Sequence, residues 1–222
     1  MIIGILMLAV IASVPDTLRI RFIGNAAFEL ADGSTTLLMD FPYESGLFGL
    51  NTYDLADVTP TGPVVSVITH GHADHFDREL FLQQGWKIVG PDEVSIHLPR
   101  ERVIPLADTV SVGSFRIVRY ETPHADMELA DMEHYAYLVL WGRRRLYFSG
   151  DTDDPSNVLA MSDLDLAFVT PWLSCAVAAV GGQIQSEGVI LHHHFEGMDE
   201  RVCLEPTILS QGEVLTLEPA SK

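Results

Sequence analysis

Apolar and polar residues alternate at the start of Leu18 to Leu30 (LRIRFIGNAAFEL), break at Gly24 and Asn25, and then resume. A period of two is that of a strand with one buried face. Thr35 to Asp40 (TTLLMD) follows a D-G-S turn, so the region predicts two paired strands. Val64 to Thr69 (VVSVIT) is a short β-branched run of the kind buried on both faces of a sheet, and it ends directly on His70. Beyond it the spacing turns helical in FDRELFLQQGW, returns to a strand in KIVG, and opens a second helix at PDEVSIHL, where Pro and acids suit a first turn. Further strands are predicted within 103–121, in 135–149 as a hairpin around Gly142, and at Asp165 to Thr170. The loops at 41–63, 125–134 and 171–188 match no regular pattern and are expected to shape a pocket.

Composition narrows the class. With 222 residues, 47% apolar and 20% charged, the chain has enough material for one sizeable core, and no repeat or low-complexity tract interrupts it. Residues 1–14 (MIIGILMLAVIASV) carry no charge. They are too short to span a bilayer, which takes about 20 apolar residues, and they read as a signal peptide or an N-terminal arm ahead of one domain at 15–222. A signal implies a periplasmic or secreted protein; without one the chain is cytoplasmic. Thirteen Lys and Arg stand against 31 Asp and Glu, a formal charge of −18, which repels a phosphate backbone and argues against nucleic-acid binding. Two cysteines, Cys175 and Cys203, cannot supply a four-sulfur zinc site; they are equally compatible with one disulfide or a pair of buried thiols.

The chemistry gathers where Val64 to Thr69 ends. Thr69 to His75 reads T-H-G-H-A-D-H, which places His70, His72, Asp74 and His75 within six residues. Alternate residues leaving a strand point the same way, so His70 and His72 can share one ion while the following turn aims Asp74 and His75 at a second. Neutral imidazoles with a carboxylate suit zinc, and leave manganese and iron compatible.

With these residues in place, the chain resembles the metallo-β-lactamase-fold hydrolase superfamily, and within it the small lactonase-like and phosphodiesterase-like branch. The likeness runs over nearly the whole chain after Thr17: FIGNAAFEL is similar to the opening strand and turn, with Asn25 where a His is frequent, and LLMDFP to a strand ending in Asp-Pro with Phe41 inserted. ITHGHADHFD matches the metal motif, RYETPHAD the stretch delivering His124, and LYFSGDT the turn carrying Asp151. The resemblance implies an α/β fold, a four-layer αβ/βα sandwich. It also implies two divalent ions, one among His70, His72 and His124, the other among Asp74, His75 and His194, with Asp151 and a hydroxide between them. Asp40 would buttress the metal loop, or be an ordinary turn cap. Asp74 would orient the hydroxide and relay its proton as the catalytic side chain. The bridging Asp151 separates the chain from true β-lactamases.

Three consecutive histidines, His192 to His194, compete for the last ligand position. His194 precedes an aromatic, Phe195, as in related hydrolases; strand alternation gives His192 the same face as runner-up and turns His193 away. His97 reads as structural, and Arg143 to Arg145 as a solvated turn or, less simply, an anion-steering patch. Asp126, Glu128, Asp131 and Glu133 after His124 either disfavour a polyanionic substrate near the metal mouth or form an ordinary solvated loop. The expected activity is therefore binuclear hydrolysis of a small ester, lactone or phosphodiester. The alternatives are a non-catalytic metal-stabilised binding module and a di-iron redox relative. Oligomeric state is left open.

Overall fold

The computed structural model describes residues 17–126, 132–194 and 201–220, so the N-terminal segment 1–14, Glu128, Asp131 and Phe195 lie outside the described residues. Strands β1 (Leu18–Gly24), β2 (Ala27–Ala31), β3 (Thr36–Met39), β4 (Val64–Val67) and β5 (Lys87–Val89) form one sheet in chain order, with β12 (Val214–Leu217) added beside β1. A second sheet takes β6 (Thr109–Val112), β7 (Phe115–Glu121), β8 (Tyr135–Trp141), β9 (Arg144–Phe148), β10 (Leu164–Val169) and β11 (Ser186–Leu191), also in chain order. Each sheet begins with antiparallel pairs and ends with three parallel strands, β3–β4–β5 in one and β9–β10–β11 in the other. Parallel neighbours need crossovers. These carry helix α1 (Arg78–Gln83) in the first sheet, and α3 (Ser156–Leu159) and α4 (Pro171–Ala179) in the second; α2 (Asp92–Ser95) follows β5.

Side-chain alternation turns the two sheets into four layers. Ile20, Phe22 and Val67 of the first sheet meet Val139, Leu146 and Phe168 of the second in a central core. Leu38 and Ile88 face the other way, onto Phe81 of α1 and Val94 of α2. Leu138 and Ala167 face outward onto Val158 of α3 and Leu173 and Val177 of α4. Central strands covered on both faces read as continuous apolar runs, which is why YAYLVLW of β8 shows no alternation. Within the core Phe148 and Phe168, paired in register across β9 and β10, stack at 4.2 Å.

Two segments differ from the sequence expectation. Residues 171–188, read as a pocket loop, begin with the nine-residue helix α4, whose Thr170 side chain accepts from Leu173 N and whose first residue is Pro171. Thr followed by Pro is a helix-start signal. It was hidden because SCAVAAV is apolar all round. Strand β12 was not expected; it is four residues long and pairs antiparallel with β1.

The loops that carry the chemistry leave the carboxyl ends of β4, β7, β9 and β11, the end of a sheet where open α/β folds place their sites. Arg144 lies at the opposite end of β9, where it binds Asp165 at 2.5 Å and the Glu218 carbonyl, so the three-arginine turn is remote from those loops.

Candidate metal centre

Two clusters of potential ligands form at that end of the sheets. His70, His72 and His124 converge in one; Asp74, His75, Asp151 and His193 converge in the other, and within each cluster the ligand atoms lie within 4.8 Å of one another. The rings of His70 and His75 are 4.1 Å apart, so the clusters are neighbours. His70 Nε2 and His72 Nδ1 approach to 3.0 Å.

The H-x-H-x-D-H loop is held from behind. Asp40, at the end of β3 with φ 44°, accepts from Thr69 N at 2.8 Å and from Thr69 Oγ1, and its Oδ2 is 3.1 Å from His75 Nδ1. Thr69 Oγ1 is also 3.0 Å from His70 Nδ1. With the hydroxyl proton given to Asp40, the hydroxyl oxygen accepts from His70 Nδ1–H, leaving the His70 Nε2 lone pair facing its cluster. Asp40 thus supports the metal loop and is no mere turn cap.

Electrostatics divide the clusters. Burial, with His75 adding to it, pushes His70 well below the ordinary imidazole range, and burial lowers His124, so these two rings offer neutral nitrogens. In the second, burial opposes charge on His75 and His193, but Asp151 and its carboxylate neighbours overcome it. His75 is raised well above its ordinary value and His193 to about 9. The same contacts, His193 foremost, hold Asp151 well below the carboxylate range against its own burial, and they lower Asp74. His193 Nε2 is 3.1 Å from Asp74 Oδ2 and 3.2 Å from Asp151 Oδ2; His75 Nε2 is 3.2 Å from Asp151 Oδ2.

The donor set fits divalent ions. Asp151 Oδ1 and His124 Nε2 are buried with no hydrogen-bond partner among the described residues, and two carboxylates share one buried pocket with imidazoles whose protons an ion can replace. Five imidazoles and two carboxylates are the nitrogen and oxygen mixture that zinc, manganese and iron accept.

His194 is the correction. The sequence placed it in the second cluster and turned His193 away; the structure places His193 there. Strand alternation holds only while the backbone is extended, and β11 ends at Leu191, after which His193 takes a left-handed conformation with φ 54°. His193 N donates to the Asn25 carbonyl at 2.8 Å, and the imidazole swings toward Asp74 and Asp151, edge-on to Trp172 of α4 at 4.9 Å. His194 stacks on Phe22 at 5.0 Å, and His192 packs its Nε2 3.0 Å from Ser149 Oγ, so neither joins a cluster. His97 is exposed beyond α2 and joins neither.

The sequence reading also missed His134. It lies buried against His70 and His124 at 5.0 and 5.6 Å between ring centres. The signal was its place directly before the buried run of β8. Cys175 and Cys203 form a disulfide that ties α4 to the segment after the histidine run.

Known proteins with similar sequence or shape fit this arrangement. A metal-dependent hydrolase of Pyrobaculum islandicum is 26% identical over 68% of this chain and 71% of its own, and one of Methanopyrus kandleri is 26% identical over 61% and 62%. The metallo-beta-lactamase fold protein YhfI of Bacillus subtilis superposes over 90% of this chain and 99% of its own at a TM-score of 0.66 and 17% identity. CmlA, a diiron beta-hydroxylase from Streptomyces venezuelae, superposes over 93% of this chain and 55% of its own, at 0.57 and 14%. At these identities the solved structures establish the fold alone. The family model for the beta-lactamase superfamily domain matches residues 19–171, most of the sheet framework and six of the seven clustered side chains, and the chain belongs to that family.

Proposed function

We propose that the protein is a binuclear metal-dependent hydrolase of a small, neutral or singly charged ester, lactone or phosphodiester. The observation that carries this reading is the pair of adjacent ligand clusters, His70 with His72 and His124 beside Asp74 with His75, Asp151 and His193. His70, His72 and His124 would hold one ion, and Asp74, His75 and His193 the other, with Asp151 between them. Divalent ions held by these residues would supply Lewis-acid chemistry, activating a water and polarising a substrate oxygen. The protein's own part is to place these groups: Asp40 and Thr69 orient His75 and His70, and Asp74, its Oδ2 3.1 Å from His193 Nε2, is the carboxylate within the cluster that would take and pass on a proton. Zinc is the first choice of metal, with manganese and iron compatible.

An excess of 18 negative charges disfavours polyanions, which supports a small substrate over a nucleic acid. Among the described residues no helix is long and apolar enough to cross a membrane. The disulfide supports work in an oxidising compartment, consistent with residues 1–14 acting as an export signal.

The test is to load the purified chain with zinc, manganese or iron(II), measure ions per chain, and assay p-nitrophenyl esters, lactones and bis-p-nitrophenyl phosphate. Two ions per chain with turnover on one of these panels is the expected result. Two ions without turnover favours the binding module, and oxygen consumption by the iron form alone favours redox chemistry.

A further inference from the structure

We propose that Asn25 is the positioning residue of the second cluster, holding the Asp74 and His193 loops to one another from a single left-handed turn. The inference rests on the binuclear reading and assigns the part that builds its less regular half.

Asn25 is completely buried and has φ 54°, a conformation Asn tolerates better than most residues. Its side-chain Nδ2 donates to the Asp74 main-chain carbonyl at 2.9 Å, 49 positions along the chain. Its own carbonyl accepts from His193 N at 2.8 Å, and it forms an isolated antiparallel bridge with His194. One residue therefore grips both loops whose side chains meet across 3.1 Å, from His193 Nε2 to Asp74 Oδ2. Neither loop has that position by regular pairing: β4 has ended seven residues before Asp74, and β11 two before His193. The first cluster is held otherwise: His70, three residues past β4, meets Thr69 Oγ1 through its Nδ1 at 3.0 Å, and Thr69 is bound in turn by Asp40.

The turn is itself braced. The β1–β2 register shifts between Phe22 and Gly24, and Gly24 packs so closely that a Cβ there would meet Asn51 Cβ at 2.7 Å and Tyr43 Oη at 2.8 Å. Asn25 Oδ1, meanwhile, is buried with no hydrogen-bond partner among the described residues. An amide that spends only its donor end on a buried contact is placed for that donor, here the Asp74 carbonyl.

Two variants separate side chain from backbone. Asn25→Asp keeps shape and left-handed tolerance but turns the donor into an acceptor; Asn25→Gly keeps the backbone and removes the amide. Stepwise zinc affinities are read by competition with chelators, alongside circular dichroism of the metal-free chains. The expected result is a wild-type chain with two binding steps, and variants in which the second step weakens about 10- to 100-fold while the first is unchanged. Two unchanged steps in both variants overturn the assignment, as does equal weakening of both steps together with lost secondary structure. A wild-type chain that takes only one ion refutes the binuclear reading itself, and the assignment falls with it.

Discussion

His134 Nε2 accepts a 2.8 Å hydrogen bond from the main-chain N–H of Asp151. On the other side of the ring, Nδ1 lies 3.2 Å from the Thr122 carbonyl, which can only accept, so the proton sits on Nδ1 and the imidazole is neutral. Burial agrees, lowering His134 to about 4. Gly150 makes the approach feasible, since a Cβ there would stand 2.6 Å from His134 Nε2.

His134→Phe should keep the volume but leave a buried N–H unpaired, at a cost of about 1–3 kcal/mol. Metal affinity should fall as the Asp151 turn shifts, about 10- to 100-fold by analogy with other residues that orient ligands. Chemical denaturation and chelator competition measure the two effects. Unchanged values in both would show that Asp151 does not depend on this ring.

Without metal, stability should peak near pH 6.5. Below that value the buried neutral His134 and His192, held at about 4 and about 3, must charge as the unfolded chain does, and stability falls with pH through those values. Above it the opposite sign applies. His193 is raised to about 9, so its contribution is present below 6.5 and is lost as pH rises toward 9. Zinc replaces the proton on His193, so loading should flatten the alkaline limb and release protons on binding. Thermal melts of both forms from pH 5 to 9.5 give the comparison, and an unchanged alkaline slope would contradict it.

The histidine run offers a direct discrimination. His193→Ala should lose the second ion and cut turnover by orders of magnitude. His194→Ala should keep both ions and lose about 1 kcal/mol of stability with its stack on Phe22. His192→Ala should destabilise through the empty space beside Ser149 without changing stoichiometry. Metal content and melting temperature of the three variants decide; a metal-depleted His194→Ala would restore the order the sequence suggested.

That order failed for a local reason. His70, His72, Asp74 and His75 were legible because they follow a buried β-branched run, and one strand plus one turn determines where they point. His193 was not, since its left-handed backbone is set by Asn25, 168 positions away, and no periodicity within VILHHH encodes that contact. His134 was equally hidden: its partner atoms are the main-chain N–H of Asp151 and the carbonyl of Thr122. The sheets themselves were readable in strands with ordinary alternation or buried runs. The four-residue β12, half exposed at an edge beside β1, carried too little apolar pattern to stand out.

The cross-link between Cys175 and Cys203 closes a covalent ring around β11 and the histidine run. A single peptide cleavage anywhere between those two cysteines leaves the chain in one covalent piece, with β11 and His193 still attached on at least one side. In surroundings rich in proteases, a nick inside this ring would be a wound the site can survive, whereas one in the uncrosslinked loop between β3 and β4 would leave the two parts joined only by packing.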